Sequence, residues 1–385
     1  MIYYGLEILN DNDEIFLFAS CIICAIVSIA SGSSWSTIAT IGVALITIGD
    51  VLGISQSLVA GSIISGAYFG DKMSPLSDTT NLAAAMAGTD IFVHIKYMMY
   101  TTIPSFIITL LIFFYIGSAN DGIDELDQKN IDNLMLALSE KFNINTIGLK
   151  FFIVPLAVLV LIIKKIPAIP ALLAGTLLGG IFAIIFQPEI ILEISKSSII
   201  SINSSFNAVI TAIFSDIMID TDKLEISKGL LTSEGMKGML DTIFLVICAM
   251  CFGGAMKAGG LLKKISNSIM KYAKDTGSLI ATTSGTCIFF NLTTCDQYLS
   301  IVVPGRMFKE NYKEKRLAPE NLSRTLEDSG SVTSVLIPWN TCGAYSHTTL
   351  GVDPLNYVPY CFFNLISPLM TIIYGYLKIK IKKIS

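Results

Sequence analysis

An otherwise apolar stretch from Leu58 to Met86 carries Asp71, Lys72 and Asp78, and this placement constrains the fold more than any other feature of the chain. Hydrophobic residues run from Leu58 to Phe69 before the charges and from Ala83 to Met86 after them, so the charges do not read as a surface loop between soluble domains. Ionisable groups persist in such segments where they face a protein interior or a water-filled cavity, and there they usually serve function. Gly66, Gly70 and Pro75 fall in the same stretch and are expected to break its helix. An unwound centre exposes backbone carbonyls. Asp71, Ser74, Ser77, Asp78, Thr79 and Thr80 then add carboxylate and hydroxyl oxygens, the hard ligands that a small cation takes. The competing reading is a polar loop joining two separate spans.

Leu326 to Gly343, LEDSGSVTSVLIPWNTCG, has the same make-up: two adjacent acids, a glycine, a run of Ser and Thr, and a proline in an apolar context. The elements before it also recur in order. Ile15 to Gly53 is apolar with a polar centre at Ser31 to Thr37, and Gly277 to Pro304 is apolar with a polar centre at Asn291 to Gln297. Each precedes an acid-plus-hydroxyl break. A repeated order of elements without residue identity is the pattern of a weak inverted repeat.

Long apolar runs, 52% hydrophobic residues, 15% charged residues and a mean hydropathy of +0.66 set the class. Soluble domains carry roughly 25% charged residues, so this is an integral membrane protein, all-α by the length of its runs. The net charge of −4 says little, because in a membrane protein the side on which Lys and Arg fall matters more than their sum. Of eight cysteines, Cys21, Cys24, Cys248, Cys251, Cys287 and Cys295 lie inside apolar runs, where a thiol acts as a small hydrophobe; no zinc or redox site is expected from the two C-x-x-C pairs. Met1 to Glu14 is polar and acidic and lacks the pattern of a cleavable signal.

In chain order, a re-entrant hairpin is expected at 15–53, since each of its arms is shorter than the about 20 residues of a full span; two tilted spans are the alternative. A broken helix at 57–86 and spans at 97–117 and 147–163 complete a first repeat, 1–163. Spans at 166–186 and 241–258, a hairpin at 277–304, a broken helix at 321–350 and a span at 357–377 form a second, 166–385. Pro188 to Gly238 reads as polar, with an interfacial helix at Phe206 to Phe214. If both hairpins return to their own side, Lys164, Lys165, Lys257 to Lys274, Arg306 to Arg316 and Lys378 to Lys383 share one face, expected to be cytoplasmic together with the C-terminus. Asp124 and Glu225 are then outside, and Lys264 and Lys313 inside.

Three stretches are specific enough to carry a family resemblance: GAYFGDKMSPLSDTTNLAAAMAGTD (Gly66 to Asp90), TTCDQYLSIVVPGRMF (Thr293 to Phe308) and LSRTLEDSGSVTSVLIPWNTCGAY (Leu322 to Tyr345). With SGSSWSTIATIG (Ser31 to Gly42), they closely resemble the NhaC family of bacterial Na+/H+ antiporters, within the ion transporter superfamily, over nearly the whole chain. The resemblance implies an inverted-repeat secondary transporter with re-entrant hairpins and broken helices, in the bacterial cytoplasmic membrane. It implies exchange of Na+ for H+, coupled in some relatives to organic anions such as malate and lactate. No enzymatic activity, cofactor or nucleic-acid partner is implied. Family members usually begin with several more apolar spans, so a preceding reading frame or a complementing N-terminal membrane segment is an expected partner, as is a second copy in a homodimer.

Asp71 and Asp78 are seven residues apart, two helical turns, so both could face one cavity. Two carboxylates in a poorly solvated site do not both stay charged, and competition of a proton with Na+ for them would give antiport. The bland alternative is an ion pair of one of them with Lys72, which could equally snorkel to an interface. Asp328, Ser331, Thr333, Asn340 and Thr341 are the candidates on the second break, with Ser329 and Ser334 as further oxygen donors. Glu327 is an accessory candidate, as are Lys72, Ser33, Ser34, Thr293 and Thr294. Asp296 either caps a half-helix or binds an ion. Hydroxyls and backbone donors at Ser31 to Thr37 and Asn291 to Gln297 also suit a carboxylate, which supports a Na+- or H+-coupled carrier of organic anions or amino acids as the alternative function. A truncated, inactive remnant is the third reading. His94 and His347 are expected to be solvated at an interface. Trp35 and Trp339 either line the cavity or fill space beside the breaks.

Overall fold

The computed structural model describes residues 15–118, 153–164, 168–219, 235–261 and 273–384, with positions 139, 141, 142, 150, 166, 232, 233, 264 and 268 between them. Two of the expected features, the N-terminal Met1 to Glu14 and the topology markers Asp124 and Glu225, lie outside the described residues. So does most of the expected loop from Asn120 to Asn145. Apart from one two-residue antiparallel pair, Ile217–Met218 with Thr232–Ser233, and a bridge between Leu317 and Lys383, the described residues form helices and their connections. Contacts divide the chain into two compact units. One is Glu14–Val43, Gln56–Asn120 and Phe244–Ser385; the other is Met1–Asp13, Ala44–Ser55 and Asp121–Ile243.

Helix α1 (Phe16–Ser31) stops at Gly32, whose left-handed φ of +69° ends the helix as few other residues would. Helix α2 (Ser34–Val51) starts two residues later, with the Ser33 hydroxyl accepting from the Ser36 amide at 3.2 Å. The polar centre is therefore a two-residue break, and most of the stretch from Ser31 to Thr37 is helical. With 18 residues, α2 is by length and composition long enough to cross a membrane, whereas the sequence suggested that each arm falls short.

Helix α3 (Gln56–Met73) and helix α4 (Asp78–Ala87) flank the first acidic break, which spans residues 74–77. Ser74 precedes Pro75, a position biased away from helix, and Ser77 caps α4 by accepting from Thr80 N at 3.3 Å. Gly66 and Gly70 do not break the helix. They lie inside α3 as a G-x-x-x-G face, where a Cβ on Gly66 would stand 2.1 Å from the Cys21 carbonyl oxygen and one on Gly70 would stand 2.3 Å from that of Ala25. Lipid offers no hydrophobic drive between helices, so close contact through small residues has to supply the association, and Ser28 Oγ adds a 2.6 Å bond to the Ala67 carbonyl.

Helix α5 (Ile91–Ser118) is 28 residues long, extends beyond the expected 97–117, and keeps Pro104 inside it. The second unit contains α6 (Ile153–Ile163), α7 (Ala168–Phe186), α8 (Pro188–Ser195) and α9 (Ile202–Phe214). The expected span 147–163 is described continuously only from Ile153. The α7 segment from Leu173 meets α8 at 106°, a helix not anticipated in a stretch read as polar. Helix α9, closed by a Ser201/Ser204 capping box, contains the expected patch. Helix α10 (Leu240–Ala258) follows.

In the first unit, α11 (Thr276–Thr294) and α12 (Gln297–Glu314) are separated only by Cys295, at a φ of 58°, and Asp296. Helix α13 (Pro319–Leu326) runs into a π-turn at Glu327–Ser331 and a 3-10 turn at Ser334–Leu336; α14 (Thr341–Leu350) resumes after it. Helix α15 (Pro354–Tyr357) and helix α16 (Phe362–Tyr376) end the helical chain. Among the described residues, three helices are long and apolar enough to cross a membrane, or up to five if each bent pair is one span. Leu279, Ile280, Phe308, Tyr312, Leu322 and Leu326, from α11, α12 and α13, form a buried cluster with Ala83 and Ala87 of α4.

Beyond α16 the tail folds back on α13. Ala318 N donates to Lys382 O at 3.0 Å, Ile384 N to Arg316 O at 2.8 Å and Asn321 Nδ2 to Lys382 O at 2.7 Å. The Lys382 ammonium meets Glu320 Oε1 at 2.5 Å, and that bond raises its pKa further above the ordinary lysine value.

Gly66→Ala or Gly70→Ala forces α1 off α3, because the obstructing atoms are backbone carbonyls that do not move aside. Each is expected to lower stability by at least about 1–3 kcal/mol, the usual cost of overpacking. Gly179→Ala in α7, whose Cβ would meet nothing within 4 Å, serves as the neutral control. Thermal unfolding of the purified protein compares them, and equal midpoints for all three would remove the packing role assigned to the G-x-x-x-G face.

Candidate functional site

The last turn of α3 and the π-turn after α13 bring four charged side chains together in the first unit, beside the start of α4. Lys72 and Asp328, 256 residues apart in sequence, form an ion pair at 1% and 0% exposure. Asp328 also accepts from Thr101 Oγ1 at 2.8 Å, from Ser367 Oγ at 3.3 Å and from Thr371 Oγ1. Ser367 Oγ in turn receives a bond from Lys72 Nζ at 3.1 Å, and the ammonium lies 5.6 Å from the centre of the Phe363 ring. Lys72 thus neutralises an acid, but the acid is Asp328 on the second break and not its sequence neighbours Asp71 or Asp78. Both oxygens of Asp328, the candidate favoured on the second break, are thus engaged.

Asp71 and Glu327 are placed differently. Asp71, 7% exposed, uses Oδ2 to accept from Ser34 N at 3.0 Å and Ser34 Oγ at 2.7 Å, at the N-terminus of α2 where helix dipole and amide donors favour an anion. Its Oδ1 is buried without a partner among the described residues. Glu327, fully buried, accepts from Thr79 Oγ1 at 3.1 Å through Oε1, while Oε2 has no partner there. The Ser331 hydroxyl, four residues on, is likewise buried and unpartnered. Two carboxylate oxygens and a hydroxyl are thereby buried without a well-formed hydrogen bond, although Ser331 is near enough to Glu327, and Ser77 to Asp71, to interact; such burial costs free energy, which a proton or a cation would offset. Hard oxygen atoms, neutral ones included, are the ligands that a Na+ takes. No group of three or more His, Cys, Asp or Glu side chains that could hold a metal ion occurs among the described residues.

The remaining candidates support this geometry. Ser77 Oγ lies 3.1 Å from Thr79 Oγ1, linking the cap of α4 to Glu327, and Thr80 Oγ1 donates to the Lys72 carbonyl at 3.1 Å. Ser74 Oγ accepts from Leu76 N at 3.2 Å and shapes the break. Asp78 is exposed and accepts from Tyr298 OH at 2.5 Å, so it stands at the edge of the site. Ser33 caps α2. Thr333 is tied to Ser329 O and Asn291 Nδ2, at 2.5 and 3.0 Å. Asn340 caps α14 through the Cys342 amide and donates to Asn291 O at 3.1 Å; Thr341 N donates to Cys295 O at 3.0 Å.

At the α11–α12 break, Asp296 resolves as a cap, accepting from Leu299 N at 2.8 Å. Thr293 and Thr294 return their hydroxyls to Phe289 and Phe290 carbonyls of their own helix, at 2.8 and 2.7 Å, and do not form a cradle. His94 is not solvated: it is fully buried, with Nδ1 2.8 Å from Ser323 Oγ. His347, by contrast, is exposed as expected, with Nδ1 3.0 Å from the Val352 carbonyl. Trp35 stacks on Tyr345 at 4.2 Å, and Trp339 Nε1 donates to Leu292 O at 2.8 Å. Sequence reasoning missed Thr101, Ser367 and Thr371. The available signal was a hydroxyl at every fourth residue of an apolar helix: Thr101, Ser105 and Thr109 on α5, Ser367 and Thr371 on α16.

The model of the Na+/H+ antiporter family matches residues 66–379, a range that contains both acidic breaks and all four charged residues. The chain belongs to that family. Over 383 residues it is 38% identical to the Na+/H+ antiporter NhaC of Alkalihalophilus pseudofirmus, covering 100% of this chain and 78% of the relative. The NhaC of Bacillus subtilis is 36% identical over 378 residues, with 98% and 79% covered. A malate-2H+/Na+-lactate antiporter of the same organism is 36% identical over 377 residues, with 98% and 76% covered. The expected resemblance to the NhaC antiporters is thus met along the whole chain.

Lys72→Met or Asp328→Leu alone strands a buried charge and is expected to cost about 3–5 kcal/mol, whereas the double variant, which removes both charges, recovers most of the loss. Thermal unfolding and yield after extraction test this. Equal destabilisation in single and double variants would mean that the pair is not coupled as described.

Proposed function

We propose that this antiporter-family chain exchanges Na+ for H+ at a site formed by Asp71 and Glu327, with Ser331, Thr79 and Ser77 supplying neutral oxygens and Lys72–Asp328 holding the frame. The observation that carries the reading is the set of buried, unpartnered oxygens: Asp71 Oδ1, Glu327 Oε2 and Ser331 Oγ. Two carboxylates in a poorly solvated site hold one positive charge more readily than none or two. A bound Na+ and a carboxyl proton satisfy the same oxygens, so each excludes the other, and a carrier that turns over only when neutralised couples the two fluxes. The two acidic breaks, each followed by a side-chain-capped helix (Ser77 before α4, Asn340 before α14), support the two repeats 1–163 and 166–385 as the moving framework in the cytoplasmic membrane, with the basic tail on the inner side.

A second reading, Na+- or H+-coupled movement of a small organic anion, is favoured by the identity to the malate-2H+/Na+-lactate antiporter. Against it, an amide at the α1–α2 break, Ser34 N, already serves Asp71, and one at the α11–α12 break, Leu299 N, serves Asp296.

Proteoliposomes carrying a trapped pH dye distinguish the readings. Under an imposed Na+ gradient, Asp71→Asn and Glu327→Gln are each expected to abolish proton movement while the protein stays folded. Ser331→Ala should weaken Na+ dependence roughly tenfold, the effect of one oxygen bonded to a charge. Retained antiport in both carboxylate variants would move the site elsewhere, and flux that appears only with malate or lactate would favour the second reading.

A further inference from the structure

A cavity with charged groups on mostly apolar walls lies outside the carboxylate site. It has a volume of about 390 Å³ and is lined by Val93, Lys96, Tyr97 and Tyr100 of α5, Glu320 of α13 and Lys380, Ile381 and Lys382 of the tail. The tail wall is built by specific bonds: the Tyr97 hydroxyl donates to the Lys380 carbonyl, Lys382 N donates to Tyr97 OH at 3.3 Å, and the Lys380 ammonium sits 4.8 Å from the centre of the Tyr100 ring.

Three ammonium groups face one carboxylate in this cavity. The one carboxylate, Glu320, is held by Lys382, so the charges of Lys96 and Lys380 are left uncompensated by the lining. Arg324 adds to the imbalance. Its guanidinium lies 4.8 Å from the Tyr97 ring, fully buried, and Nε, Nη1 and Nη2 have no partner among the described residues. An aromatic face offsets only a small part of such a charge. The cavity therefore carries a positive potential on walls that are otherwise hydrocarbon: Val93, Ile381, two aromatic rings and the lysine stems.

The depth of the cavity selects its ligand. With 1.5 Å per residue, the 28 residues of α5 span about 42 Å against roughly 30 Å of hydrocarbon, so a centred α5 overhangs by about four residues at each end. Lys96 and Tyr97, sixth and seventh in α5, then sit at the boundary between acyl chains and headgroups. Basic pockets at that level between membrane helices recognise anionic headgroups.

We propose that this cavity binds the phosphate headgroup of an anionic phospholipid, with Lys96 and Lys380 on the phosphate and Val93, Tyr100 and Ile381 against the first carbons of the acyl chains. A lipid bound there bridges α5 to the tail and stabilises the tail on α13. The proposal does not depend on the Na+ site.

The test uses the full chain in nanodiscs and in detergent. Phosphatidylglycerol is expected to raise the unfolding midpoint and to survive delipidation as a bound species in native mass spectrometry, whereas phosphatidylcholine does neither. The double variant Lys96→Gln/Lys380→Gln should retain phosphatidylglycerol at least about tenfold less, given the contribution of each lysine at a membrane surface. Both lysines are exposed, so its midpoint in phosphatidylcholine should match that of the unaltered protein, which separates loss of the site from loss of the fold. Stabilisation by phosphatidylglycerol that the substitutions leave intact overturns the proposal. Equal effects of the two lipids, or protection by inorganic phosphate equal to that by phosphatidylglycerol, do so as well.

Discussion

The buried pair of Lys72 and Asp328 is the interaction on which the site depends. An ammonium and a carboxylate at near-zero exposure are each prohibitive alone, and together they persist only with good geometry and further hydrogen bonds. Thr101, Ser367 and Thr371 provide those bonds from α5 and α16. Four elements are thereby tied at one point: the end of α3, the π-turn after α13, the middle of α5 and the face of α16. Such a pair adds little to stability over a hydrocarbon core of equal volume, and its effect is to fix which elements meet and in what register.

With Asp328 so engaged, its neighbour in sequence is free to do something else. Successive residues of a helical turn point about 100° apart. Glu327 therefore faces Thr79 and α4 while Asp328 faces Lys72, although both are fully buried. A single acidic pair is split between structure and candidate function. The same split occurs on the first break, where Lys72 serves the frame and Asp71 is directed at Ser34 and the start of α2.

The helix breaks obey a second constraint: buried helix ends need partners for their first amides. Ser33, Ser77, Asp296 and Asn340 each accept from an amide at the start of the following helix. Most hydroxyls and amides near the breaks are consumed in this way, and that leaves few polar atoms open to a ligand. The oxygens that stay unpartnered, on Asp71, Glu327 and Ser331, stand out for this reason.

Long apolar runs interrupted by acids, hydroxyls and proline made the helical membrane class, both acidic breaks and the family legible in the chain alone, because hydropathy and proline act locally and leave their mark residue by residue. Pairing was not legible. Lys72 selects Asp328 across 256 residues over Asp71 beside it, and Gly66 and Gly70, which read as breakers, admit α1 to close contact. His94 reads as an interfacial residue and is buried against Ser323. In each case the outcome is set by what lies opposite in space: a glycine in a helix is a break or a contact surface depending on the neighbouring helix, and a buried charge takes whichever partner the tertiary fold brings within hydrogen-bonding distance. Sequence determined which residues could carry charge at depth, and only the tertiary structure decided which of them remain available to an ion.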